Sequence, residues 1–312
     1  MRKDPIRAKL EAFGSHLTLP VARAALGSLE GEHGSSQYGH GYDYLDLRPY
    51  APGDEAELID WKASGRAGKP IIINKQHEVN NAVWLMLDVS SQMGATARSG
   101  ETLLDVAANA LRMFALLSLK RSDSISLILA DSRTITRIPF AGGYPKFDHM
   151  LTDSLAELHP APRDLTSMLR YAEGIRSRNS LVVIASDDSA MDARHEKLIA
   201  TISQDHPLVF ISVEPVNPFD PANRRIQDAQ NGKLMPAFLQ NGKLAREIDT
   251  RSRVLALAFD RALARHGDTL LRGGSSDEML TNFIHLVSTR RNGMRPNQES
   301  LLPRLQKEMI AS

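Results

Sequence analysis

Asp88-Val89-Ser90-Ser91-Gln92 follows the apolar run Val83-Trp84-Leu85-Met86-Leu87 and precedes a helical pattern that opens near Thr102. A buried strand that ends in an aspartate and a serine can present oxygen atoms to a hard cation such as Mg²⁺, which takes six oxygens and keeps several waters. Aspartate and serine are also favoured after strands because they cap the next helix. The other loops at the same sheet edge decide between the two.

Working outward, short buried runs alternate with amphipathic stretches. Strands are expected at 83–87, 125–130, 181–185 and 208–213, with 134–139 as a hairpin partner of the second. Helices are expected at 102–119, 146–158, 165–176 and 193–203, the first with Leu103, Val106, Ala107, Ala110, Leu111, Phe114 and Leu117 on one apolar face. Near-continuous apolar strands alternating with helices predict an α/β fold with a mostly parallel sheet covered on both faces. Ligands of such sheets bind past the C-terminal strand ends. The loop after Ala185 carries Ser186, Asp187 and Asp188, so Asp88, Ser90 and Asp187 can share one edge and supply part of a cation's shell.

Residues 1–81 form an N-terminal segment of different texture. Ile6, Leu10, Phe13 and Leu17 have helical spacing, broken by Gly14 and Pro20, and 31–41 reads as a loop of glycine, serine and histidine. The α/β domain with a C-terminal extension spans 82–290, and 291–312 is a polar tail. In the extension Gln230-Asn231-Gly232-Lys233-Leu234 recurs as Gln240-Asn241-Gly242-Lys243-Leu244, which reads as two turns flanking a short strand. A helix near 252–265, a strand near 268–271 and a helix near 277–289 follow.

Composition narrows the function classes. The 312 residues hold 38 basic and 37 acidic side chains, so no net field steers the chain to nucleic acid or a membrane surface. With no cysteine, disulfides, thiolate catalysis and cysteine metal sites are excluded. No run approaches the about 18 apolar residues of a membrane span, and the N-terminus lacks a signal-peptide core, so a cytoplasmic protein is expected. The ten histidines show no zinc spacing and read as surface or capping residues. No Gly-x-Ser-x-Gly elbow or Gly-Lys-[Ser/Thr] phosphate loop is present, so nucleotide hydrolysis belongs to a partner if it occurs at all.

The stretch from Asp88 is similar to the metal-ion-dependent adhesion motif Asp-x-Ser-x-Ser, with Gln92 at the second serine, and the region resembles a von Willebrand factor A-like domain with its Rossmann-type sheet. In that family a threonine from a second loop joins two serines and two aspartates. The resemblance matches that loop to Ala161-Pro162-Arg163-Asp164-Leu165, which puts Arg163 at the threonine position. Glutamine still offers a carbonyl oxygen to a metal; a guanidinium has no lone pair to give. Arg163 is therefore expected to replace the cation and pair with Asp88 and Asp187; the alternative is an arginine turned to solvent beside a weak Mg²⁺ site.

Upstream, Arg48-Pro49-Tyr50-Ala51-Pro52-Gly53-Asp54 is followed by Ile59-Asp60-Trp61-Lys62-Ala63-Ser64-Gly65-Arg66. Pro52-Gly53 reads as a turn, and Asp54 with Glu57 as a capping box. Arg48, Asp54, Asp60, Lys62 and Arg66 carry charges enough for a polar network. The spacing Arg-x-Tyr-x-x-Gly-Asp, then Ile-Asp-Trp-Lys and a nearby Arg, resembles the bacterial and archaeal family catalogued as domain of unknown function 58, with Gly65 where relatives commonly have alanine.

That resemblance implies a von Willebrand factor A-like adaptor or chaperone-type accessory without enzymatic activity, working with a MoxR-type AAA+ ATPase. Its interaction edge would be Asp88, Ser90, Arg163 and Asp187, where a partner carboxylate can meet the guanidinium. Arg48, Asp54, Asp60, Trp61 and Arg66 then either dock the N-terminal segment on the sheet or form a protein-binding surface. The rival readings are a divalent-cation-dependent binding module and a metal-assisted hydrolase, the latter needing a general base that nothing near Asp88 supplies.

Overall fold

The computed structural model describes residues 5–17, 19–30, 43–51, 59–76, 81–177, 179–187, 189, 191–223, 226, 229 and 233–291. They divide into two compact units: Met1–His33 with Asn81–Ser312, and Gly34–Asn80.

The larger unit is built on six strands: β3 (Ala82–Asp88), β4 (Ser124–Ala130), β5 (Ile135–Phe140), β6 (Leu181–Ser186), β7 (Leu208–Val213) and β8 (Thr269–Gly273). They lie in the order β5-β4-β3-β6-β7-β8. All neighbours are parallel except the β4–β5 hairpin. β3 starts the unit's sheet and sits at its centre; the chain first builds outward on one side to β5, then returns to the other side at β6. The two strands at this reversal, β3 and β6, are in register from Val83↔Leu181 to Leu87↔Ala185. The crevice past their C-terminal ends is where an open α/β sheet receives ligands.

Strand residues alternate between two cores, as a period of two requires. Val83, Leu85 and Leu87 join one core with Leu127, Val183 and Ile211; Trp84 and Met86 join the other with Ile128, Ile184 and Phe210. The first core is closed by α4 (Leu103–Arg121), α5 (Tyr144–Ala156), α9 (Ser276–Arg291), α1 (Pro5–His16) and α2 (Leu19–Glu30). The second is closed by α6 (Leu165–Glu173), α7 (Ala193–Asp205) and α8 (Gly242–Arg265). The α/β architecture with a mostly parallel sheet is therefore as expected.

The first two helices belong with the sheet unit because their apolar stripe is completed by α4 and α9. The helices pack closely there: a Cβ at Gly14 would stand 3.0 Å from Leu116 Cδ1, so the leucine would have to shift. Phe283 of α9 meets both Phe13 and Phe114 edge to face, with centroids 6.2 and 5.1 Å apart.

Two expectations for the C-terminal part are corrected. The helix placed at 252–265 begins ten residues earlier, at Gly242, and Asn241 is its cap, accepting from Lys243 N at 2.8 Å. Asparagine serves caps as readily as turns, so Asn-Gly alone does not separate them. Between the two copies lies a 3-10 turn, Ala237–Leu239, and no named strand among the described residues. Residues 230–232 of the first copy lie outside the described residues, as does the tail beyond 291. No helix among the described residues is long and apolar enough to cross a membrane.

The smaller unit pairs β1 (Asp43–Pro49) antiparallel with β2 (Ile71–Gln76), with a register shift between Tyr44 and Asp46, and carries α3 (Trp61–Ala67). Asp60 caps α3, its Oδ1 accepting from Lys62 N at 2.9 Å and Ala63 N at 3.0 Å. Gly68, at φ +65°, ends it in the left-handed region.

Candidate functional site

Asp88 is the last residue of β3 and Asp187 the first after β6, so the parallel pairing of these strands brings their loops to one edge. Both are almost fully buried, at 2% and 4% exposure. Each folds its own loop in the same way. Asp88 Oδ1 accepts from Ser90 N at 2.9 Å, and Asp187 Oδ1 accepts from Ser189 N at 2.9 Å and from the Ser189 hydroxyl. An aspartate bonding the backbone two residues on is an Asx turn, which Asp-x-Ser favours.

The other two carboxylate oxygens face Arg163. Its Nε donates to Asp88 Oδ2 at 2.7 Å and its Nη2 donates to Asp187 Oδ2. Ser186 Oγ donates to the same Asp88 Oδ2 at 2.7 Å, and Met93 Sδ lies 3.6 Å from Nη2. Burial alone would lower the guanidinium's pKa; Asp187 and Asp88 outweigh it and raise it above the ordinary arginine value. The charge is thus fixed, and every carboxylate oxygen of the pair has a donor.

Arg163 is delivered by the segment before α6. Ser91 N donates to Ala161 O at 2.8 Å and Ser132 N to Pro162 O at 2.9 Å. Asp131, after β4, accepts from Ala161 N at 3.2 Å and from the backbone of Arg133 and Thr134 at 2.8 and 2.9 Å. Asp164 then caps α6, accepting from Ser167 N at 3.0 Å and Ser167 Oγ at 2.6 Å; those bonds hold its pKa below the usual carboxylate value. Arg163 is pinned between a loop anchor and a helix start.

The structure therefore brings Asp88, Ser90, Asp187 and Arg163 together. Gln92 is set apart: its Oε1 accepts from Ser91 Oγ at 3.3 Å. Ser90 occupies the N-cap position of the 3-10 turn Ser91–Gly94 but makes no cap bond, and its Oγ is buried with no hydrogen-bond partner among the described residues. The capping explanation thus fails for Ser90. Nor do the residues as arranged fit a divalent cation, because a guanidinium takes the oxygens that would bind it. No group of three or more metal-ligating His, Asp or Glu side chains occurs among the described residues. Sequence reading missed Ser189, which a second Asp-x-Ser at 187–189 signals, and Asp131, signalled by an aspartate at the end of the neighbouring strand.

The upstream signature divides differently. Asp60 is a helix cap, while Trp61 is 74% exposed and Lys62 and Arg66 are exposed. Tyr50 is 39% exposed, its N–H donating to Pro70 O at 2.9 Å. Ser64 Oγ accepts from Ile71 N at 2.8 Å and ties α3 to β2. Among the described residues of the expected charge network, Lys62 and Arg66 are exposed and Asp60 is half-buried. Gly53 and Asp54 lie outside the described residues, as does the side chain of Arg48. Of the histidines, His195 completes a capping box with Asp192 and contacts Thr166 Oγ1 at 3.0 Å, a capping role as expected.

Relatives match this chain over nearly its whole length. "Uncharacterized protein Rv1480" of Mycobacterium tuberculosis is 25% identical over 308 residues, covering 94% of this chain and 93% of its own. "Uncharacterized protein Mb1516" of Mycobacterium bovis matches to the same extent. Among solved structures, the conserved hypothetical protein BatB from Bacteroides thetaiotaomicron aligns with a TM-score of 0.40 at 10% identity, over 68% of this chain and 99% of that one. An aerotolerance-related membrane protein from Bacteroides fragilis aligns with a TM-score of 0.39 at 12% identity, over 69% and 100%. Both structural likenesses are too distant to carry an argument about this chain. Residues 46–283 match the family model described as "Protein of unknown function DUF58", and on that match over more than half its length the chain belongs to the DUF58 family.

Proposed function

We propose that this chain is a non-enzymatic, protein-binding adaptor of von Willebrand factor A-like type, acting as an accessory to a MoxR-type AAA+ ATPase. The observation that supports this reading best is Arg163 held between Asp88 and Asp187 at the sheet's topological reversal. A reactive carboxylate needs a free oxygen, and here each oxygen accepts a bond within the edge. An interaction edge needs rigid loops, and the guanidinium ties the loops after β3 and β6 to the segment before α6. Metal-dependent relatives of this architecture would recruit a partner carboxylate through a cation; this edge presents a charge that belongs to the chain. The guanidinium is nine-tenths covered, so its first role is to hold the loops and its second to meet a partner acid. Trp61, Tyr50 and Arg66, exposed on the smaller unit, supply residue types that anchor protein interfaces.

The test is capture of a MoxR-type AAA+ ATPase by the purified chain, without nucleotide, in EDTA and in excess Mg²⁺. Equal capture in both, lost in Arg163→Ala, is expected. Absence of capture overturns the partner; capture abolished by EDTA overturns the metal-free edge in favour of a cation-dependent module.

A further inference from the structure

The two faces of the sheet are covered unequally. β4 passes to β5 through a hairpin, not a crossover helix, so that connection gives no helix to cover the Trp84 face over β4 and β5. A groove of about 960 Å³ remains there, between β5 and the C-terminal part of α6. It lies toward the end of the sheet away from the aspartate edge: Trp84 precedes Asp88 by four residues, about 13 Å along the strand.

The groove has a consistent chemistry. Trp84 and Tyr171 line it edge to face, with centroids 6.4 Å apart. Arg137, from β5, lies over the Trp84 ring at 4.6 Å, and Trp84 Nε1 donates to Ser177 Oγ at 3.3 Å. Arg170 and Arg176 stand on the opposite wall, and all three arginines are exposed. Among the described residues no carboxylate lines the groove, and neither Arg137 nor Arg176 makes an ion pair. Among the described residues β5 is the edge strand of the sheet, with Pro139 in it.

We propose that this groove is a second binding site, for an extended acidic segment of a partner protein with apolar side chains between its carboxylates. One arginine stacked on Trp84 and two on the α6 side, beside Tyr171, match a chain that carries carboxylates with apolar side chains between them. The site is separate from the Asp88 edge and from the adaptor reading based on it.

The chain has two tryptophans, so Trp61→Phe leaves Trp84 as the sole emitter, inside the groove. The probe is an acetylated decapeptide of alternating glutamate and leucine, with the lysine–leucine peptide and ADP as controls. A saturable change in Trp84 emission with the glutamate peptide alone is expected, weakened at least about tenfold by Arg170→Glu with Arg176→Glu. Both residues are exposed, so an unchanged thermal melt separates lost binding from lost folding. Gln92→Ala leaves the response intact. No emission change, an equal response to the lysine peptide, or undiminished binding by the double variant overturns the proposal. A response to ADP without one to the peptide also overturns it, in favour of a phosphate compound.

Discussion

Arg163 donates through Nε to Asp88 Oδ2 at 2.7 Å, across 75 positions of sequence. The 161–164 segment, tied to the loops after β3 and β4, brings the two within reach. The energetic consequence follows from burial: neither partner has water to fall back on.

Arg163→Ala leaves two buried carboxylates without their shared donor, and a loss of about 3–5 kcal/mol in unfolding free energy is expected in urea titration. Arg163→Lys restores less than half of it, because one ammonium lacks the planar fork that spans both aspartates. Full restoration by lysine would show that charge alone holds the edge.

Titration of the wild-type chain with Mg²⁺ in a calorimeter gives no binding heat. Arg163→Thr with Gln92→Ser supplies two oxygen donors beside Asp88, Ser90 and Asp187, and its titration shows Mg²⁺ binding that Asp88→Ala abolishes. Wild-type binding lost in Asp88→Ala would place a cation where the guanidinium lies.

Burial pushes the Asp123 carboxyl up to about 6 against the pull of Arg121, and pushes Asp268 up to about 6 against the Ser203 hydroxyl. The folded chain therefore keeps protons that the unfolded chain releases near 3.8, the ordinary value. This contribution to stability is complete below that value and is lost as pH rises through about 6. Asp268→Asn keeps an acceptor for Ser203 and flattens the slope between about pH 4 and 6; urea midpoints across that range that leave the slope unchanged would refute the assignment.

Asp60 and Trp61 are adjacent but differ in role. Asp60→Ala removes the cap of α3 and costs that unit about 1 kcal/mol, read as faster amide exchange of Lys62 and Ala63. Trp61→Ala changes stability by less than about 0.5 kcal/mol yet reduces partner capture. A destabilising Trp61→Ala with unchanged capture would assign the tryptophan to folding.

The sheet was legible because its strands are nearly continuous apolar runs of strand length, and the hairpin partner of β4 because a second short run follows four residues later. The two aspartates were legible as strand-terminal residues. Arg163 came only from the resemblance, since nothing in an Ala-Pro-Arg-Asp string points its side chain inward. Asn241 shows the limit: an Asn-Gly pair is compatible with a turn and with a cap, and only the stripe of α8 beyond it decides. Ser189 repeats at 187–189 the Asp-x-Ser spacing of 88–90, and its partner is the Asp187 carboxylate; among the described residues Asp131 accepts only from backbone N–H groups, which no side-chain pattern singles out.

The fixed positive charge of Arg163 has one more consequence, which concerns control. A cation drawn from solution can be diluted, chelated or exchanged, so a surface that depends on one reports on its surroundings. A guanidinium on the same chain has a constant local concentration and stays protonated across the biological pH range. Chelators and changes in divalent-cation concentration therefore have no hold on the contact between Arg163, Asp88 and Asp187.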